Sequence, residues 1–96
     1  MSVAKIEIIW TEYLLYRAKL RGFNKAILEE IIRFSAERYF DTTTRRKVVI
    51  GKHKTKLVII PYEQTNSQLV PVTVHSTSRQ QLRFRLKTGR FIREQA

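Results

Sequence analysis

The sequence predicts an α+β fold: an N-terminal strand and a helical hairpin packed on a small antiparallel sheet, with a short basic helix near the C-terminus. Three observations carry that expectation. Apolar residues recur at helical spacing through residues 12–34, broken once around Gly22 and Asn24. From Glu37 onward the apolar period falls to two, with polar breaks between short runs. Past Ser76 a capping signature precedes alternating arginine and apolar residues. The 96 residues fit one domain spanning 1–96, with 93–96 as a loose tail.

Taken in order, residues 5–10 read as a strand, because Ile6, Ile8 and Trp10 alternate with Lys5, Glu7 and Ile9. Thr11 suits a helix N-cap. Tyr13, Leu14, Tyr16 and Leu20 then form the apolar stripe of a first helix, and Gly22 suits its end. Trp10, Tyr13 and Tyr16 are expected in the core. Asn24 caps a second helix whose buried stripe is Ile27, Leu28, Ile31 and Ile32, extended by Phe34. This hairpin is expected to cover one face of the sheet.

Residues 38–40 are a short strand and residues 41–44 a turn. Val48, Val49 and Ile50 are consecutive, which suits a central strand over 47–51. Residues 52–54 form a basic hairpin turn before a strand over 57–63. Pro61 places an edge or a bulge in that strand, since proline gives no N–H to a ladder. A polar turn at 64–68 leads to a strand over 69–75 containing Pro71. Residues 77–96 fit either period, with Leu82, Phe84 and Leu86 alternating as in a strand. The capping signature and Gly89 favour a helix, on which Arg79, Arg83, Lys87 and Arg90 make one basic stripe.

The net charge is +11. Residues 1–48 hold ten basic and six acidic side chains, whereas residues 49–96 hold nine basic and two acidic. The first half thus compensates itself, and the second presents a surface for a polyanion. No cysteine is present, which excludes a disulfide scaffold, a thiolate zinc site and a cysteine nucleophile. The three glycines are scattered, so no glycine-rich phosphate loop exists, and no metal site or cofactor is expected. No apolar run reaches the roughly 18 residues of a membrane span, and the N-terminal stretch has no signal-peptide pattern, so a cytoplasmic protein is expected.

The candidate site centres on His75, Arg79 and Arg83. A strand delivers His75 to a sheet end, and a capped helix starting beside it turns backbone N–H groups and arginine forks towards the same point. Histidine moves a proton near neutral pH, and arginines stabilise a pentavalent phosphorane, so these residue types suit RNA cleavage without a metal. Lys52, Lys54, Lys56, Tyr62, Arg85, Lys87 and Arg90 are the expected RNA contacts, with Tyr62 as a stacking surface or proton relay. The same charge also suits a non-catalytic RNA- or ribosome-binding module.

The segments 47–51, 57–62 and 72–79 resemble the RelE/ParE toxin superfamily, most closely its BrnT-like members. The resemblance implies a microbial-ribonuclease-like fold and a type II toxin that inhibits translation by cleaving RNA, on the ribosome or off it. It also implies a cognate antitoxin as partner, with DNA contacted only through that antitoxin. No tyrosine follows Tyr62, where RelE-type enzymes often carry one, and residues 19–22 lack the histidine of the BrnT-like pattern. ParE-like members act on gyrase, so a protein target is the other implied activity.

Overall fold

The computed structural model describes residues 5–94. Among these residues the chain forms, in order, β1 (Glu7–Ile8), α1 (Glu12–Leu20), α2 (Lys25–Phe34), β2 (Arg38–Asp41), β3 (Arg46–His53), β4 (Lys56–Gln64), β5 (Gln68–Pro71), β6 (His75–Ser76), α3 (Arg79–Lys87) and β7 (Phe91–Arg93). The α+β class is as the periodicity predicts. The sheet is larger, and it is mixed. Its order is β1-β5-β4-β3-β2-β7, with β6 also on β4, and β1 runs parallel to β5.

The centre is the β3–β4 hairpin. Val48, Val49 and Ile50 of β3 and Val58, Ile59 and Ile60 of β4 are all buried. Successive strand side chains point to opposite faces, so a buried triplet needs cover on both. Val49, Val58, Ile60 and Tyr62 pack with Leu14, Ala18, Leu28, Ile31 and Ile32 from α1 and α2. Val48, Ile50 and Ile59 pack on the other face with Tyr39, Phe91 and Leu82 of α3. The helical hairpin therefore covers one face, and α3 covers part of the second, which the sequence reading left uncovered.

Both hairpin helices start as their caps predict. Thr11 Oγ1 accepts from the Leu14 N–H at 3.1 Å, and Asn24 Oδ1 accepts from the Ile27 N–H at 3.2 Å. Gly22 turns between them at φ +75, a region open to glycine without steric cost. The buried face of α1 is Leu14 and Ala18, not the tyrosines. Tyr13, Tyr16 and Leu20 are exposed, as is Phe34 on α2. At 3.6 residues per turn Tyr13, Tyr16 and Leu20 fall on the side of α1 opposite Leu14 and Ala18, so they face away from the core. Trp10 is half-buried against the core.

His53 belongs to β3, and the hairpin turn falls at residues 54–55, with Lys54 at φ +58. The His53 ring is buried, packs edge-on against Phe23 at 5.1 Å, and accepts from the Asn24 N–H at 2.7 Å through Nε2. It thereby ties the hairpin end to the α1–α2 turn. Arg38 ties the other end of α2. It donates to the carbonyls of Ile32 and Ser35 and, at 3.2 Å, to the Tyr62 hydroxyl.

Pro61 sits in a central strand, opposite Val48. The break it imposes falls in the neighbour. β5 ends at Pro71 and β6 resumes at His75, so the expected strand over 69–75 is split, with Val72 N–H on the Pro61 carbonyl at 2.8 Å. Only residues 7–8 of the expected first strand pair, because β1 lies at the sheet edge with one partner. The expected tail is structured up to Glu94. Arg93 ends β7, Glu94 N–H donates to the Arg38 carbonyl at 3.2 Å, and residues 95–96 lie outside the described residues.

Gly51 faces α2 so closely that a β-carbon there would lie 2.6 Å from Ile31 Cγ2 and 2.7 Å from Cγ1. Ile31 is buried and branched, so it has no cheap way to yield. Gly51→Ala should destabilise the fold by about 1–3 kcal/mol. Urea unfolding checks this, and a midpoint unchanged from the parent's would contradict the close packing of α2 on β3.

Candidate functional site

A cleft of about 390 Å³ opens between α3 and the second face of the sheet. Val48, Ile59 and Pro61 form its floor, and His75, Arg46, Arg85 and Arg90 line it. The split of the fifth strand creates its wall, since β6 returns to β4 with His75 opposite Ile59 and places the imidazole on the α3 side. Ser78 caps α3 by accepting from the Gln81 N–H at 3.2 Å, which sets the helix across the sheet with Gln81 and Arg85 on the cleft flank.

Arg21, from the end of α1, holds the imidazole. One Nη1 lies 2.8 Å from the Val74 carbonyl and 2.7 Å from His75 Nδ1. A guanidinium only donates, so Nδ1 is the acceptor and the ring proton is on Nε2. Burial lowers the His75 pKa from its ordinary value, and the positive charges of Arg21, Arg17 and Arg85 lower it further. The ring is therefore a neutral donor, and its Nε2–H makes no hydrogen bond within the described residues.

The cations differ in how far they are neutralised. Arg90 forms a fork with Asp41, Nε to Oδ1 and Nη2 to Oδ2 both at 3.1 Å. Burial raises the Asp41 pKa, but Arg90 and the N–H groups of Thr43 and Thr44 outweigh it and hold the carboxyl below its ordinary value. Arg46 reaches the exposed Glu63 at 3.3 Å, a weak surface pair. Among the described residues no carboxylate lies at ion-pair distance from Arg85, whose guanidinium rests over the Phe91 ring at 5.4 Å.

The residues expected at the centre are not all brought together. His75, Arg85 and Arg90 share the cleft. Arg79 and Arg83 lie on the other flank of α3, along a more open depression with Glu37, Tyr39 and Arg93. There Arg79 chelates Glu37 at 2.7 and 2.8 Å, and Tyr39 donates to the same carboxylate at 2.6 Å. The expected basic stripe loses Arg90, because α3 ends at Lys87 and Arg90 follows the turn at Gly89, while Leu82 and Leu86, facing the sheet, part Arg79 and Arg83 from Arg85. Lys87 is exposed beyond them.

Tyr62, expected to contact RNA, does not reach the surface. It is 1% exposed, points to the α1–α2 face, and holds Arg38 rather than any surface ligand. Burial raises its pKa, which Arg38 only partly offsets. Lys52, Lys54 and Lys56 are exposed at the β3–β4 turn, beside the strand that carries His75. The sequence reading missed Arg46, Gln81 and Arg21. Arg46 was visible within the basic run 45–47, but its face depends on register. The Arg21–His75 contact joins residues 54 apart and left no local signal.

Among the described residues no three histidine, aspartate or glutamate side chains are placed to hold a metal ion, and no helix is long and apolar enough to cross a membrane. No family model, no curated protein and no solved structure matches the chain.

His75 should titrate below the ordinary value of about 6.5. Its unfolded form binds a proton more readily, so this contribution to stability is complete above pH 6.5 and is lost as pH falls towards the folded value. Imidazole resonances followed by NMR test this directly. Arg21→Ala should raise the His75 pKa, and Arg83→Ala should leave it in place. An unchanged pKa in Arg21→Ala would contradict the role given to Arg21.

Proposed function

We propose that the chain is the toxin of a type II toxin–antitoxin pair, a metal-independent endoribonuclease that acts on cytoplasmic RNA and so inhibits translation. The observation that carries the reading is the pairing of a neutral imidazole, its Nε2–H unclaimed, with the unneutralised Arg85 in one cleft. Excess positive charge draws the RNA backbone to the cleft. The sequence resemblance to RelE/ParE toxins, closest to BrnT-like members, points the same way.

In this reading the substrate 2′-oxygen attacks the adjacent phosphorus, and the bond from phosphorus to O5′ breaks. The products are a 2′,3′-cyclic phosphate and a 5′-hydroxyl. The 2′-OH proton passes to solvent, and solvent protonates O5′. Arg85 and Arg90 stabilise the charge that gathers on the phosphoryl oxygens, and His75 donates to them from Nε2. With Nδ1 tied to Arg21, His75 acts as donor rather than general base. The exposed Tyr13, Tyr16 and Leu20 of α1, next to Lys19, suit an acidic amphipathic segment of the antitoxin.

Purified protein in EDTA should convert RNA into fragments with 5′-hydroxyl ends. Arg85→Ala should slow this by about 10²–10³-fold. Arg79→Ala, on the far flank, should change it little. Salt-dependent RNA binding without new ends would make the chain a binding module instead. Growth arrest on expression with RNA left intact would move the target to a protein such as gyrase.

A further inference from the structure

The most exposed large apolar residue of α3 is Phe84, at 64%. Its neighbours make this unusual. The helix reads Arg-Gln-Gln-Leu-Arg-Phe-Arg-Leu-Lys, and its packing against the sheet is met by Leu82 and Leu86. Phe84 contributes nothing to that packing. It lies instead in a groove of about 460 Å³ on the outer side of α3, with Gln80, Gln81, Thr88, Arg85 and Arg90. That volume lies within the ~300–1,000 Å³ range of small-ligand sites.

Arg85 and Arg90 line this groove and the His75 cleft alike. A phosphate held by Arg85 in the cleft would therefore leave the next nucleotide of the same strand over the groove. An aromatic face flanked by guanidinium groups is what an unstacked base requires. Gln80, one turn before Phe84, brings an amide with both donors and an acceptor to the same groove. A base held within a duplex has no free face to offer, so the arrangement selects single strands.

We infer that Phe84 is a stacking platform for a base of single-stranded RNA adjacent to the nucleotide whose phosphate occupies the His75–Arg85 cleft. The inference rests on the reading of the cleft as an RNA site. It assigns Phe84 to substrate positioning, and it explains an exposed phenylalanine on a helix that is otherwise polar on its outer side.

The probe is a 2′-O-methyl hexanucleotide, which lacks the attacking hydroxyl, with 2-aminopurine at one position; an abasic version serves as control. Wild-type protein should bind it in a salt-dependent way, lose affinity in Arg85→Ala, and quench 2-aminopurine on binding. Phe84→Ala and Phe84→Leu should bind about 5- to 100-fold more weakly and lose the quenching. Phe84→Trp should restore both, and the abasic probe should bind wild type and Phe84→Ala alike. Phe84 is exposed, so these variants should keep the parent fold, which circular dichroism verifies. Binding that needs Arg85 but is indifferent to Phe84 would overturn the platform while sparing the cleft. Absence of oligonucleotide binding by the wild type would overturn both.

Discussion

The structure depends on one constraint: the β3–β4 hairpin is apolar on both faces. Val48, Val49 and Ile50 lie against Val58, Ile59 and Ile60, and each face leaves apolar side chains that water would otherwise meet. One face is closed by α1 and α2 through Leu14, Leu28, Ile31 and Ile32. The other is closed only partly, by Leu82 and Leu86 of a short helix and by Phe91 of the strand that follows it. The cleft lies beside that cover, on the buried Val48 and Ile59 and the half-buried Pro61. The site thus lies where a helix of nine residues meets the second face of the sheet, whose apolar side chains it helps to bury.

Charge placement sharpens the same feature. Acidic side chains are distributed so that they neutralise particular cations. Glu37 takes Arg79, Asp41 takes Arg90, and Glu94 approaches Lys47 at 3.8 Å. The two strongest of these pairs also anchor structure, since Asp41 organises the β2–β3 turn and Glu37 receives the Tyr39 hydroxyl. Arg85, Arg21 and Arg17 have no such carboxylate among the described residues, and they are the cations that surround His75. Their positive charges, together with burial, keep the imidazole neutral and so spare that region a further charge.

Much of this was legible in the sequence. The caps at Thr11 and Asn24, a third cap at Thr77 or Ser78 that the structure places at Ser78, the turn at Gly22 and the buried triplet of β3 are local signals, and local signals fix where elements begin and what lies between them. What sequence could not supply was direction. Tyr62 and Pro61 differ by one residue, and the pleat sends one to the core beneath the helices and the other to the cleft floor. Arg79 and Arg85 lie on one helix, yet Leu82 and Leu86 turn them to opposite flanks. β7 was illegible because three residues carry no period, and its pairing with β2 is set by the end of α3. Of the expected site, His75, Arg85 and Arg90 converge; the partner that sets the tautomer of His75 came from the far end of α1.

On the proposed reading the α3–sheet cleft, not the opposite flank of the helix, receives the phosphodiester. Chemical-shift mapping with a non-cleavable single-stranded RNA tests it in one experiment. Shifts concentrated on the His75 imidazole, the Gln81 amide and the Arg85 guanidinium, with Glu37 and Arg79 left in place, are the predicted result. Shifts confined to Glu37, Arg79, Arg83 and Arg93, with His75 unmoved, would contradict it.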